Sequence, residues 1–90
     1  MRIDMFLRNA GIIPHRSRAK EACDEGLVRL DGKVVKPASE VQRGQKLRIE
    51  LSLSVREYEI LDLPKVPVAK RRREEYARLL SERRSEFDDW

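Results

Sequence analysis

The dipeptide Asp31-Gly32, set between Val28-Arg29-Leu30 and Lys33-Val34-Val35, leaves this chain few alternatives. A two-residue hairpin loop of this kind wants positive φ at both central positions, which Asp and Gly tolerate. It predicts a strand over 27–30, a tight reversal and a return over 33–35. Downstream, residues 46–51 alternate, with Leu47, Ile49 and Leu51 on one side and Lys46, Arg48 and Glu50 on the other. A period of two marks a strand with one buried face. A further strand is expected over 52–63. Its apolar members Leu53, Val55, Tyr58 and Ile60 do not keep one parity, which predicts a bulge or a change of face.

Ahead of the hairpin the period changes. Ile3, Phe6, Leu7 and Ala10 fall at i, i+3, i+4 and i+7, one face of a helix. Gly11 suits the left-handed residue that follows a helix end. Pro14 cannot continue a helix and restricts Ile13. A second helix is expected from about Arg16-Ser17, with Ser17 as N-cap. It buries Ala19, Ala22 and Cys23 and stops at Gly26. Beyond Pro64 and Pro67 a final helix is expected from about Ala69. Tyr76, Leu79 and Leu80 form its apolar face, extended by Phe87. Arg71 with Glu75 and Arg78 with Glu82 have the i,i+4 spacing of intrahelical ion pairs. Residues 84–90 are expected to fray.

The expected architecture is therefore α+β: two N-terminal helices packed on a small, mostly antiparallel sheet, plus a C-terminal helix. Residues 1–63 would form one domain, and 64–90 a basic helix and tail. Ninety residues leave room for one small core. Twenty basic residues against 16 acidic ones give +4, a surplus whose meaning depends on its placement. Cys23 stands alone, so it has no partner for an internal disulfide, and His15 is the single histidine. That pair is too few for a Cys/His metal site, and no base–nucleophile arrangement is recognisable. No cofactor or small-molecule substrate is implied. No run approaches the ~20 apolar residues of a membrane span, and no apolar leader is evident. A soluble, cytoplasmic protein is expected.

The order helix, helix, hairpin, carried by Arg2-Ile3-Asp4, Phe6-Leu7, Arg16-Ser17, Ala19, Gly26, Val28, Leu30, Asp31-Gly32, Pro37 and Gly44, resembles the S4 domain, an RNA-binding module. The match covers about residues 1–50. Among such proteins the short form with a trailing strand and a C-terminal helix is similar to the heat shock protein 15 and RqcP families. That resemblance implies an S4-type (αL) fold without catalytic activity. It implies binding to ribosomal RNA and tRNA on the large ribosomal subunit, in quality control of stalled peptidyl-tRNA. Met5, Gly11 and Pro14 stand where relatives tend to carry basic residues, and the run Lys70-Arg71-Arg72-Arg73 offers charge in their place.

Candidate contacts with RNA follow from where the basic residues fall. Arg16 and Arg18 flank the start of the second helix, where unpaired amides and the helix dipole favour an anion. Two guanidinium groups there make a phosphate cradle, although each also reads as an ordinary surface arginine. Ser17 either donates to a phosphate or caps the helix. Arg2, Arg8 and Lys20 lie off the apolar stripes and extend the same basic face, while Arg2 is equally suited to pair with Asp4. The Asp4 carboxylate, favoured in a first helical turn whatever the function, is expected to orient a basic neighbour. Lys33 and Lys36 project from the hairpin region, within reach of a backbone or simply solvated. His15 contacts RNA or is a plain loop residue. Lys70 and Arg71 belong to a second phosphate strip or to a solvated helix face. The few aromatics argue against a stacking platform, so the expected partner is structured RNA held through phosphates. Two other classes fit the chain: the RNA-targeting subunit of an RNA-modifying enzyme, and a ribosome-associated protein adaptor. The free chain is expected to be monomeric.

Overall fold

A computed structural model describes residues 1–51 and 53–84. Helix α1 (Ile3–Asn9) and helix α2 (Arg16–Asp24) precede β1 (Val28–Leu30), β2 (Lys33–Val34), β3 (Lys46–Leu51) and β4 (Ser54–Ile60). A 3-10 turn at Lys70–Glu75 then leads into β5 (Ala77–Arg84). The strands form one antiparallel sheet in the order β2-β1-β3-β4-β5.

The local signals convert directly into backbone. Asp31 has φ +49° and Gly32 φ +84°, the two positive values that a tight hairpin needs. Ile3, Phe6, Leu7 and Ala10 are fully buried, as their helical spacing requires. Ala19, Ala22 and Cys23 form the buried side of α2, and their small size lets the two helices approach closely. Both helices lie on one face of the sheet, against Val28, Leu30, Leu47, Ile49, Tyr58 and Ile60. Each of these positions is the inward half of a strand alternation.

The parity change expected around β4 has two sources. Val55 is buried on the face turned away from the helices, opposite Glu50, whereas Tyr58 and Ile60 face the core. The irregularity itself belongs to the partner strand. Ser81 lies opposite Glu57 and Leu79 opposite Tyr58, so Leu80 is the extra residue of a bulge in β5. Leu53 is exposed and lies outside the strand.

The C-terminal segment corrects the expectation of a final helix. Residues 77–84 are rich in good helix formers, yet they pair with β4 along its length as an edge strand. The competing term is tertiary. Without β5, the seven-residue strand β4 would leave its outer row of amides and carbonyls unpaired. The ion pairs change accordingly. Arg78 pairs with Glu59 and Arg56 with Glu82, each directly across the ladder, in place of an Arg78–Glu82 contact within a helix. Arg72, in place of Arg71, pairs with Glu75 inside the 3-10 turn. Leu79 and Leu80 are about two-fifths exposed, and the apolar anchor is Ala77, fully buried opposite Ile60. Phe87 and the tail from 85 onward lie outside the described residues.

Ala77→Asp tests this strand assignment. A carboxylate at a fully buried ladder position loses its hydration and should cost about 3 kcal/mol or more in denaturant unfolding. On a solvated helix the same change would be nearly neutral.

Candidate nucleic-acid interface

The N-terminus is held by the loop that follows the hairpin. The amides of Ile3 and Asp4 donate to the carbonyls of Ser39 (2.7 Å) and Pro37 (3.2 Å), and Val41 donates back to Met1 (2.9 Å). These bonds seat Asp4 in the first turn of α1 with no exposed surface. Its Oδ1 accepts the Met5 amide at 2.7 Å and Arg2 Nε at 3.1 Å. Its Oδ2 accepts Arg2 Nη2 at 3.1 Å and Arg16 Nε at 3.4 Å. One carboxylate thus gathers two guanidinium groups, one from the extended residue that precedes α1 and one from the start of α2. It balances one of their two charges and leaves a surplus beside the start of α2. Arg2 and Arg16 each keep part of their surface in solvent.

Helix α2 begins at Arg16, with His15 as N-cap, and no side chain caps it. Ser17 is therefore inside the first turn and is not the cap. The reason lies upstream. The amides of Ile12 and Ile13 both turn back to the Leu7 carbonyl, after which His15 is extended (φ −107°, ψ 121°) and the chain enters the helix two residues before the point a Ser17 cap would set. The first intrahelical bond at this end is Ala19 N–H to the His15 carbonyl. The amides of Arg16, Ser17 and Arg18 have no acceptor among the described residues, the arrangement that receives a phosphate.

The other candidates are placed around this point. His15, Ser17 and Arg18 are exposed at the helix mouth. Lys20 follows Arg16 by four residues and Arg8 follows Asp4 by four, so each lies one turn along on the same side of its helix. Lys36 sits at the head of the loop that bonds Ile3 and Asp4, its amide donating to Ser39 Oγ at 3.0 Å. Lys33 stays on the exposed edge strand β2. Lys70 and Arg71 are exposed on the 3-10 turn, which packs at the opposite end of α1. Seven residues of helix separate the two ends, a rise of about 10 Å.

Arg73 is the residue that sequence reasoning passed over. Its Nη2 donates to the Gly11 carbonyl at 2.8 Å, across 62 positions of chain. Gly11 has φ +75°, and a side chain there would meet the same guanidinium. Asn9 adds two bonds to this junction, donating from Nδ2 to the Pro64 carbonyl (3.0 Å) and accepting the Val68 amide (2.9 Å). No local pattern signals a contact of this span. Cys23 lies in the core, where burial, and then the charges of Asp4 and Asp24, push its thiol up from 9.0 to about 11. It is a packing residue in its neutral form.

A helix pair anchored on an antiparallel sheet, with unpaired amides and arginines at one helix start, defines a small nucleic-acid-binding module. Residues 1–47 match the S4 domain, and the chain belongs to that family. It is 38% identical over 64 residues to the RQC P-site tRNA stabilizing factor of Helicobacter pylori strain J99, spanning 71% of this chain and 76% of that protein. The structure of Heat Shock Protein 15 from Vibrio cholerae, described as trimeric, superposes with a TM-score of 0.84 over 90% of this chain and 82% of that one. At 20% identity that likeness is one of fold. A solution structure of a hypothetical protein gives a TM-score of 0.75 at 30% identity, covering 90% of this chain and 98% of that one.

Asp4→Ala should destabilise the domain by about 1–3 kcal/mol in denaturant unfolding, because it strands the Met5 amide and leaves two arginines without their shared anion. The thiol of Cys23 offers a second check. Its native pKa is raised, so the stability it contributes is complete below about pH 9 and declines as pH climbs toward about 11. At pH 8 a thiol reagent should label the native chain far more slowly than the chain in denaturant.

Proposed function

We propose that the chain is a non-catalytic RNA-binding protein that docks on structured RNA through the start of α2, in ribosome-associated quality control of stalled peptidyl-tRNA. The observation that carries this reading is the Asp4 cluster, which fixes Arg2 and Arg16 beside three unpaired amides. Arg16 engages Asp4 through Nε alone, so its terminal nitrogens stay available to a phosphate. Arg18, Lys20 and Arg8 have no carboxylate partner among the described residues and surround that point with exposed positive charge. Such a surface reads backbone geometry and carries little base discrimination.

The names of the relatives supply the biological direction. A factor that stabilises P-site tRNA must recognise RNA that is already folded, which suits a rigid helix pair better than a stacking surface. In this reading the partners are tRNA and large-subunit ribosomal RNA, the protein acts in the cytoplasm where translation occurs, and it binds as a single copy. His15 and Ser17 touch the phosphate directly, Lys36 approaches from the neighbouring loop, and Lys33, Lys70 and Arg71 meet RNA farther out.

Arg18→Glu combined with Lys20→Glu tests the interface without disturbing Asp4, since both side chains are exposed. Affinity for purified large ribosomal subunits should fall about 10- to 100-fold, and the dependence of log K on log salt should flatten by about 2. Unchanged affinity in the folded variant would contradict the assignment. Crosslinking in cells followed by sequencing of the bound RNA then identifies the target. Large-subunit RNA together with tRNA supports the quality-control role, and messenger or small-subunit RNA contradicts it.

A further inference from the structure

The sheet face turned away from the helices carries charge that the α2 site does not use. In the β1–β3 register Arg29 lies directly opposite Arg48. Like charges placed directly across a ladder destabilise it. Glu57 faces Arg48 from β4, but no ion pair joins them. Arg48 reaches only along its own strand, to Glu50 at 3.5 Å, and its Nε is buried without a hydrogen-bond partner. Lys46, on the same face, has Glu59 opposite it, but Glu59 is taken by Arg78 at 2.6 Å. Asp31, in the adjoining turn, has its Oδ1 engaged by the Lys46 amide at 2.9 Å. Arg29 and Lys46 have no carboxylate partner among the described residues.

These side chains border a cleft of about 210 Å³ whose lining includes Arg29, Asp31, Lys46, Leu47, Arg48 and Glu57. It has no aromatic side chain, so it offers a base nothing to stack on. What it offers is three cations, Arg29 and Arg48 facing each other across the ladder and Lys46 two residues along β3 from Arg48, two of them guanidinium groups suited to paired phosphate oxygens. We propose that this cleft is a second phosphate-binding surface, which takes the sugar–phosphate backbone of RNA on the side of the sheet opposite α1 and α2. The proposal rests on the RNA-binding reading above and extends it to a face that the helix-start site does not reach. An anion between Arg29 and Arg48 would turn their repulsion into a shared contact and satisfy the buried Arg48 Nε.

Arg29→Glu in the full chain tests this with two readouts of opposite sign. The new carboxylate faces Arg48, so the melting temperature should rise by about 2–4 °C. Affinity for a fluorescein-labelled RNA hairpin should nonetheless fall about five- to tenfold, with a salt dependence flatter by about 1–2. Structural damage does not produce greater stability together with weaker binding. Lys46→Glu, a second variant, should show the same loss of affinity. Wild-type affinity and salt dependence in both folded variants would overturn the proposal and leave the face to an acidic protein surface. The helix-start reading fails by a different result, in which the Arg18→Glu, Lys20→Glu variant keeps full affinity for the large subunit.

Discussion

A carboxylate with no exposed surface, at the first turn of α1, joins three parts of the chain that are distant in sequence. Asp4 is placed by the Pro37 carbonyl and, through its neighbour Ile3, by Ser39. It then holds Arg2 from the N-terminal segment and Arg16 from α2. Removing a charge from water is costly unless good partners replace the water, so the position of Asp4 dictates where two arginines must lie. Those arginines fix α2 against α1 at its N-terminal end, where the helix has unpaired amides. Stability and the proposed anion recognition thus share one group. The carboxylate is structural, and the surplus charge it leaves behind is what an RNA backbone would meet.

The C-terminal third does comparable work at the other end of α1. Pro64 and Val68 bond to Asn9, and Arg73 bonds to the Gly11 carbonyl. Beyond them β5 closes the outer row of β4. The basic run is therefore not a free arm. One of its arginines braces the connection between the helices, while Lys70 and Arg71 remain in solvent. The charge is carried on a segment whose path is set by hydrogen bonds to the N-terminal module.

What could be read from the residues was local. The Asp31-Gly32 turn, the α1 stripe, the small inner face of α2 and the alternation of β3 each depend on a period or a backbone preference within a few positions. All four appear in the structure where the residues imply. The final helix was misread because its propensity is real and its competitor is not local: the unpaired edge of β4, more than 15 residues away. Ser17 was misread as a cap because the helix start is set by Leu7, whose carbonyl gathers two amides ahead of Pro14. The basic cluster at α2 was legible as composition. Its geometry was only half legible, since Asp4 was expected to orient Arg2 but nothing in the spacing announces Arg16 as its second partner. The contact of Arg73 with Gly11 and the facing of Arg29 and Arg48 depend on topology, which no short window reports.

The proposed function requires that nucleic acid meet the protein at the uncapped start of α2. Ultraviolet crosslinking of the full chain to purified large ribosomal subunits, with mass-spectrometric mapping of the RNA-bearing peptides, addresses that contact without altering any residue. Crosslinks on the peptide spanning residues 15–20 are the expected result. Crosslinks confined to other segments, with none on that peptide, would contradict it.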